Sequence, residues 1–158
     1  MLVPAMFKKV ELENEFKKLQ YTNDMFLETA SLCTWIPDIS EECRDDCYQY
    51  AIMDKDKLIG YLNYRVDWYA SQADSFGLIS FDKGNPIVGL DVHRKMKELL
   101  EDYKLHRISW RMVGGNPAER SYDRFCKKYG GKKFILTDAL KDRFGNYHDD
   151  VIYEIINS

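Results

Sequence analysis

No stretch of this 158-residue chain is apolar over the roughly 18–20 residues that a membrane-spanning helix needs, which excludes a helical membrane span. The opening Met1-Leu2-Val3-Pro4-Ala5-Met6-Phe7 is a short apolar patch followed by Lys8 and Lys9. It lacks the basic flank, longer apolar stretch and cleavage site of a secretory signal. A cytoplasmic protein with no membrane partner is expected. There are only four cysteines, Cys33, Cys43, Cys47 and Cys126, and no C-x-x-C pair, so neither a disulfide framework nor a closed zinc site is announced. Cys43 and Cys47 would share one face of a helix, but no second ligand pair accompanies them, and buried free thiols are the expectation. The three histidines, His93, His106 and His148, stand far apart, and no metal is expected. No block of like charge occurs. With 23 Lys+Arg against 26 Asp+Glu the net charge is -3, which argues against nucleic acid as a main partner and suits a cationic or neutral small substrate. Four prolines and nine glycines form no linker and no repeat, so residues 1–158 read as one domain.

What the chain does have is a composition 45% hydrophobic and 14% aromatic, too rich in large apolar side chains for disorder. Tyr48 to Met53 and Leu58 to Trp68 read as a hairpin around Asp54-Lys55-Asp56-Lys57. After a turn near Ala70 to Asp74, Phe76 to Phe81 reads as a third strand of an antiparallel meander. The period then changes: Val92, Met96, Leu99, Leu100 and Tyr103 recur at helical spacing. His106 to Val113 is a strand, Asn116-Pro117 opens a helix striped by Tyr122, Phe125 and Tyr129, and Gly130-Gly131 stops it. Phe134 to Thr137 and Val151 to Ile156 are the last strands, joined across the turn Phe144-Gly145-Asn146. Earlier in the chain, Phe7 to Leu19 is ambiguous between strand and helix. Thr22 or Asn23 caps a helix through Leu32, and Ser40 caps another through Cys47. Antiparallel strands interrupted by helices late in the chain mark an α+β fold.

The chemistry is expected at two strand-to-helix junctions, Phe81 to Leu90 and Val113 to Pro117, where unpaired N–H groups and the positive end of a helix dipole converge on one spot and suit an anion. Gly84 and Gly89 let a phosphate approach the first, and Asn85-Pro86 pre-sets its turn.

The order of elements and two motifs resemble the GNAT superfamily of acyl-CoA N-acetyltransferases, especially its branch that acetylates ribosomal-protein N-termini. The resemblance spans about Asp38 to Asn157. One motif is His106-Arg107-Ile108 through Gly115-Asn116-Pro117-Ala118-Glu119-Arg120-Ser121-Tyr122-Asp123-Arg124-Phe125. It is similar to the family's strand ending in an asparagine, followed by a helix whose tyrosine faces the cofactor thiol. The other is Leu140 to Ile152 with Gly145-Asn146-Tyr147-His148-Asp149, similar to that branch's final hairpin.

The resemblance implies a mixed, mostly antiparallel central sheet flanked by helices, with acyl-CoA in a splay between the strands ending near Phe81 and Val113. Pantetheine would bond backbone groups of Ile79 and Phe81 and the side chain of Asn116. The pyrophosphate would sit on the turn from Gly84 to Gly89, including Asn85, Ile87 and Val88. Here Pro86-Ile87-Val88-Gly89-Leu90-Asp91 keeps only the first glycine of the family pattern and adds the negative charge of Asp91.

The implied reaction passes an acetyl group from acetyl-CoA directly to a primary amine, of a small molecule or a protein N-terminus. An N–H near Ser80 or Phe81 stabilises the oxyanion and Tyr122 acts as the acid; counting back from Gly130 offers Cys126 instead. Asp67, Asp74, Asp149, His93 and His148 are the candidate bases. Trp35, Trp68 and Tyr69 either wall a substrate pocket or pack the sheet edge and early helices, and Lys127-Lys128 with Lys132-Lys133 suit the 3′-phosphate of CoA. The alternative is a non-catalytic acyl-CoA-binding or protein-interaction module with the same fold. A homodimer is allowed.

Overall fold

The structure, a computed structural model, describes residues 1–20 and 36–158. Strand β1 (Leu2–Pro4) and a 3-10 turn (Ala5–Lys8) lead into helix α1 (Lys9–Gln20). The meander follows as β2 (Cys47–Asp54), β3 (Lys57–Asp67) and β4 (Gln72–Ser80). Then come α2 (Pro86–Glu101), β5 (Arg107–Val113), α3 (Glu119–Lys128), β6 (Lys132–Lys141) and β7 (Tyr147–Ile156). The strands form one seven-stranded sheet in the order β1-β2-β3-β4-β5-β7-β6. Every neighbouring pair is antiparallel except β4 and β5. A parallel pair cannot be closed by a tight turn and needs a crossover; α2 supplies it.

The β4–β5 pair positions the site. The two strands are registered only at Gln72 with Arg107 and Ala73 with Ile108. Beyond that they part, while β4 stays on β3 as far as Ser80 and β5 stays on β7 as far as Val113. The sheet therefore opens into a wedge at the C-terminal ends of β4 and β5.

Two cores flank the sheet. On one face the α2 stripe Val88, Val92, Met96 and Leu99 and the α3 residues Tyr122 and Phe125 pack on Leu62, Ile108, Trp110 and Tyr153. On the other, Leu12 and Phe16 of α1 pack on Ala51, Tyr61 and Ile79, with the Phe16 ring edge-on to Tyr61 at 5.3 Å. This spacing of four between Leu12 and Phe16 resolves the ambiguous Phe7–Leu19 stretch as helix.

Several expectations need correction. Ser40 to Cys47 is not a helix. Its backbone is pinned to β2 by Gln49, which donates to Asp38 O at 2.7 Å and accepts from Ser40 N at 2.9 Å. The Ser40 hydroxyl caps a local turn at Glu42, a use that competes with helix formation. Cys47 opens a strand instead, Cys43 is exposed, and only Cys126 of the described cysteines is buried. The apolar opening contributes an extra strand, Leu2 facing Ile52. The last two strands are longer than their apolar centres, because β6 carries a register shift between Leu136 and Leu140 and continues to Lys141. The helix expected from Thr22 or Asn23 to Leu32, together with Cys33 and Trp35, lies outside the described residues.

Candidate functional site

The wedge opens into a groove of about 1500 Å³ between α2 and α3, larger than the pockets that hold most small ligands. Its floor is Leu78 and Ser80 of β4, one end is the Lys83-Gly84-Asn85 turn, and Asn116 and Tyr122 line the opposite wall. Both junctions singled out in the sequence thus face one space.

Strand parity decides which backbone groups are exposed in the slot. Phe81 N–H donates to Ile59 O at 2.9 Å, so 59/81 is a hydrogen-bonded pair, and two residues back so is 61/79. The main-chain groups of Ile79 and Phe81 are therefore spent on β3. The alternate residues, Leu78 and Ser80, turn theirs to the slot. The Ile79 side chain is in the α1 core and that of Phe81 packs on Phe16 at 5.8 Å. The two residues assigned to pantetheine are thus each one position out of phase, since sequence alone does not show which neighbour an alternate amide faces. Across the slot, Gly114 N–H donates to Asp149 O at 2.8 Å; by the same alternation Arg111 and Val113 face the wedge, and the Val113 carbonyl accepts from Asn116 N at 3.2 Å.

At the phosphate turn, Gly84 has φ of 80°, a conformation that favours glycine. Asn85 caps α2, its side-chain oxygen accepting from Ile87 N at 3.1 Å; the Val88 amide behind it has no acceptor within the helix. Gly84, Asn85, Val88 and Gly89 line the groove, whereas Ile87 packs against the core. A Cβ added at Gly84 or Gly89 would meet no atom within 4 Å. Asp91 is buried, turned away from the groove into an ion pair with Arg94 at 3.2 Å and another with the Met1 ammonium.

Charge on the groove walls is of one sign. Lys83, Arg94, Lys97, Arg124 and Lys128 line it, and no aspartate or glutamate does among the described residues. Of the four lysines expected at a terminal phosphate only Lys128 faces this space; Lys133 is held by Glu119 and Asp123, each at 2.8 Å. Arg94 and Lys97 lie three apart on α2, and Arg124 and Lys128 lie four apart on α3, spacings that put each pair on one helix face. That helical spacing is the signal by which the sequence could have given these cations.

The asparagine at the end of β5 is buried, and its side-chain oxygen accepts from Ala118 N at 2.9 Å. This orders the turn that launches α3 two residues later than the Asn116-Pro117 boundary suggested. Tyr122 follows on the groove wall, its ring 5.6 Å from Trp110 and 5.9 Å from Tyr153. Its hydroxyl has no hydrogen-bond partner among the described residues, and burial pushes its pKa well above the usual phenol value. Cys126 lies behind the groove, donating to Lys132 O at 3.5 Å, with its thiol pKa raised by burial.

Of the candidate bases only His93 lines the groove. Its Nε2 is 3.2 Å from Ser121 Oγ, and burial, followed by the nearby Arg124, lowers its pKa. Asp67 caps the β3–β4 turn at Ala70 N, Asp74 accepts from Ser75, Asp149 accepts from Asp138 N, and His148 bonds Asp142. Trp68 and Tyr69 sit in that β3–β4 turn at the zipped end of the sheet. The Trp68 indole donates to Asp45 O at 2.7 Å, so neither walls the groove. His106 opens β5, its Nδ1 3.1 Å from Asn157 O.

No family model and no curated protein matches the chain by sequence, but solved structures match its fold. A spermidine/spermine N-acetyltransferase from Vibrio cholerae aligns over 92% of this chain and 88% of its own, with a TM-score of 0.62 at 16% identity. A spermidine N-acetyltransferase from the same organism in complex with CoA and spermine aligns over 72% and 67%, at 0.55 and 16%. A probable acetyltransferase aligns over 71% of this chain with a TM-score of 0.55 at 19% identity; this chain spans 63% of its length. The chain has the fold of the GNAT N-acetyltransferases.

Proposed function

We propose that the protein is an acetyl-CoA-dependent N-acetyltransferase acting on a primary amine, of a small molecule or a protein N-terminus. The observation that carries this reading is the parted β4–β5 pair opening into a groove whose charged walls are all cationic in a chain of net charge -3. A long polyanionic carrier with an uncharged arm and a reactive end fits that distribution. The spermidine acetyltransferase with CoA bound supports it by likeness of fold.

In this reading the groove residues divide the work. Gly84, Val88 and Gly89, with the positive end of α2, receive the pyrophosphate. Leu78 and Ser80 offer main-chain groups to the pantetheine arm, and Asn116 holds its far side. The thioester supplies an activated acetyl carbon. The amine forms the C–N bond, the C–S bond breaks, the amine's proton leaves to water, and Tyr122 gives its own proton to the departing sulfur and is reprotonated from water. Burial keeps Tyr122 protonated at neutral pH. The same dry surroundings raise the basicity of a thiolate lying against it, so donor and acceptor stay matched.

The test has two parts. Acetyl-CoA at millimolar concentration should raise the melting temperature by mass action, and amine-dependent thiol release should follow. Tyr122→Phe should lower kcat by about 100-fold or more with the affinity for acetyl-CoA within about threefold of wild type, because an unpartnered hydroxyl is lost. No melting shift would end the proposal. A shift without turnover on any amine would leave a non-catalytic acyl-CoA-binding module in its place.

A further inference from the structure

Trp110 stands in the middle of β5, its side chain on the face that carries α2 and α3, 3% exposed. Its ring is stacked on Tyr153 at 5.1 Å with planes 13° apart, and Tyr122 and Phe125 close on it at 5.6 and 6.1 Å. Tyr153 is itself tethered, its hydroxyl donating to Asp123 at 2.7 Å. The indole is thereby fixed in place, yet Nε1 is the one buried side-chain nitrogen or oxygen with no hydrogen-bond partner among the described residues. Buried polar groups in native proteins are nearly always paired, and an orphan calls for an explanation.

Trp110 also lines a small cavity of about 10 Å³, walled by Leu62, Phe76, Leu78, Val92 and Met96 and touched by Tyr122. Leu78, Val92 and Tyr122 line the groove as well, so the cavity lies at its inner end, where β4 and β5 part. Its volume is that of one small group. The walls are almost wholly apolar, whereas a water held there would want two to four polar partners. The site suits an occupant that enters from the groove, is compact, and carries a single acceptor oxygen.

The geometry points to Trp110 Nε1–H as a donor to the acyl oxygen of the bound thioester, in a seat that admits only a short acyl group. This rests on the acetyltransferase reading and adds to it a catalytic residue and the class of acyl donor. The Ser80 amide, on the opposite side of the slot, is the natural second donor. As the amine adds to the acyl carbon, negative charge grows on that oxygen. A rigid, dry donor then binds it more tightly than the ground state, which is the condition for a rate effect.

The protein has three tryptophans; Trp35→Phe with Trp68→Phe leaves one indole N–H resonance to follow by NMR. That resonance should move when acetonyl-CoA, a ketone analogue that keeps the oxygen, is added, and should respond far less to CoA, which lacks it. Trp110→Phe should cut kcat about 100-fold while binding CoA within about twofold of wild type. Hexanoyl-CoA should be a poor donor beside acetyl-CoA. An indole shift equal for the two ligands overturns the assignment, as does a Trp110→Phe enzyme turning over at the wild-type rate. If wild type binds neither ligand, the acetyltransferase reading fails and this one with it. If Trp110→Phe does not fold, the two-ligand NMR comparison decides alone.

Discussion

His93 illustrates how one residue's surroundings reach the whole protein's pH response. Burial between α2 and α3, and secondarily Arg124, lowers its pKa from the ordinary 6.5. Below that value the unfolded chain takes up a proton that the folded protein refuses until more acidic conditions. Stability therefore falls as pH drops through about 6.5 toward the lower folded value. The melting temperature should decline between pH 7 and pH 5.5, and His93→Gln should flatten that slope. An identical slope in the variant would show that His93 is not its source. Tyr122 and Cys126 show the same principle on one helix, where a turn's difference in placement puts the phenol on the groove and the thiol against β6.

Among the elements, the α3–β6 junction is the least tolerant. Gly130 adopts φ of 67°, and Gly131 N–H donates to Cys126 O at 2.9 Å, closing the helix. A Cβ on Gly131 would lie 2.6 Å from both Cys126 Sγ and the Glu154 carbonyl of β7. The carbonyl belongs to a paired strand and cannot retreat cheaply. Gly131→Ala should destabilise the protein by about 1–3 kcal/mol, the usual range for overpacking. Gly89→Ala, in open space within α2, should be neutral or stabilising by up to about 1 kcal/mol. Equal denaturation midpoints for the two variants would disprove the crowding at Gly131. Because Tyr122 rides on α3, this junction also sets where its hydroxyl stands.

For the molecule as a whole, the segregation of charge matters more than its sum. Acidic residues outnumber basic ones, 26 to 23, yet the groove gathers cations from a turn and two helices. Arg124→Glu together with Lys128→Glu should weaken acetyl-CoA binding tenfold or more, at about 1 kcal/mol per charge contact in water, with little change in melting temperature. Wild-type affinity should fall as ionic strength rises from 0.05 to about 0.5 M, as the Debye length shrinks below 10 Å. Affinity indifferent to both would remove electrostatics from the account.

The sequence by itself determined the meander, both late helices and the two junctions, because apolar period and Asn, Pro and Gly punctuation are local signals. The resemblance placed Asn116 and Tyr122, and both line the groove. Local signals ended where partners far along the chain decide. Ser40 is a fair helix cap until Gln49 claims its backbone, and Leu2 becomes a strand only because Ile52 lies beside it. Ile79 and Phe81 against Leu78 and Ser80 is a matter of which neighbour each amide faces, fixed by a single bond from Phe81 to Ile59. The orphaned Trp110 and the cationic walls emerge only when β4 and β5 separate. Tertiary structure decided those features, since burial and electrostatic field are properties of residues brought together from distant parts of the chain.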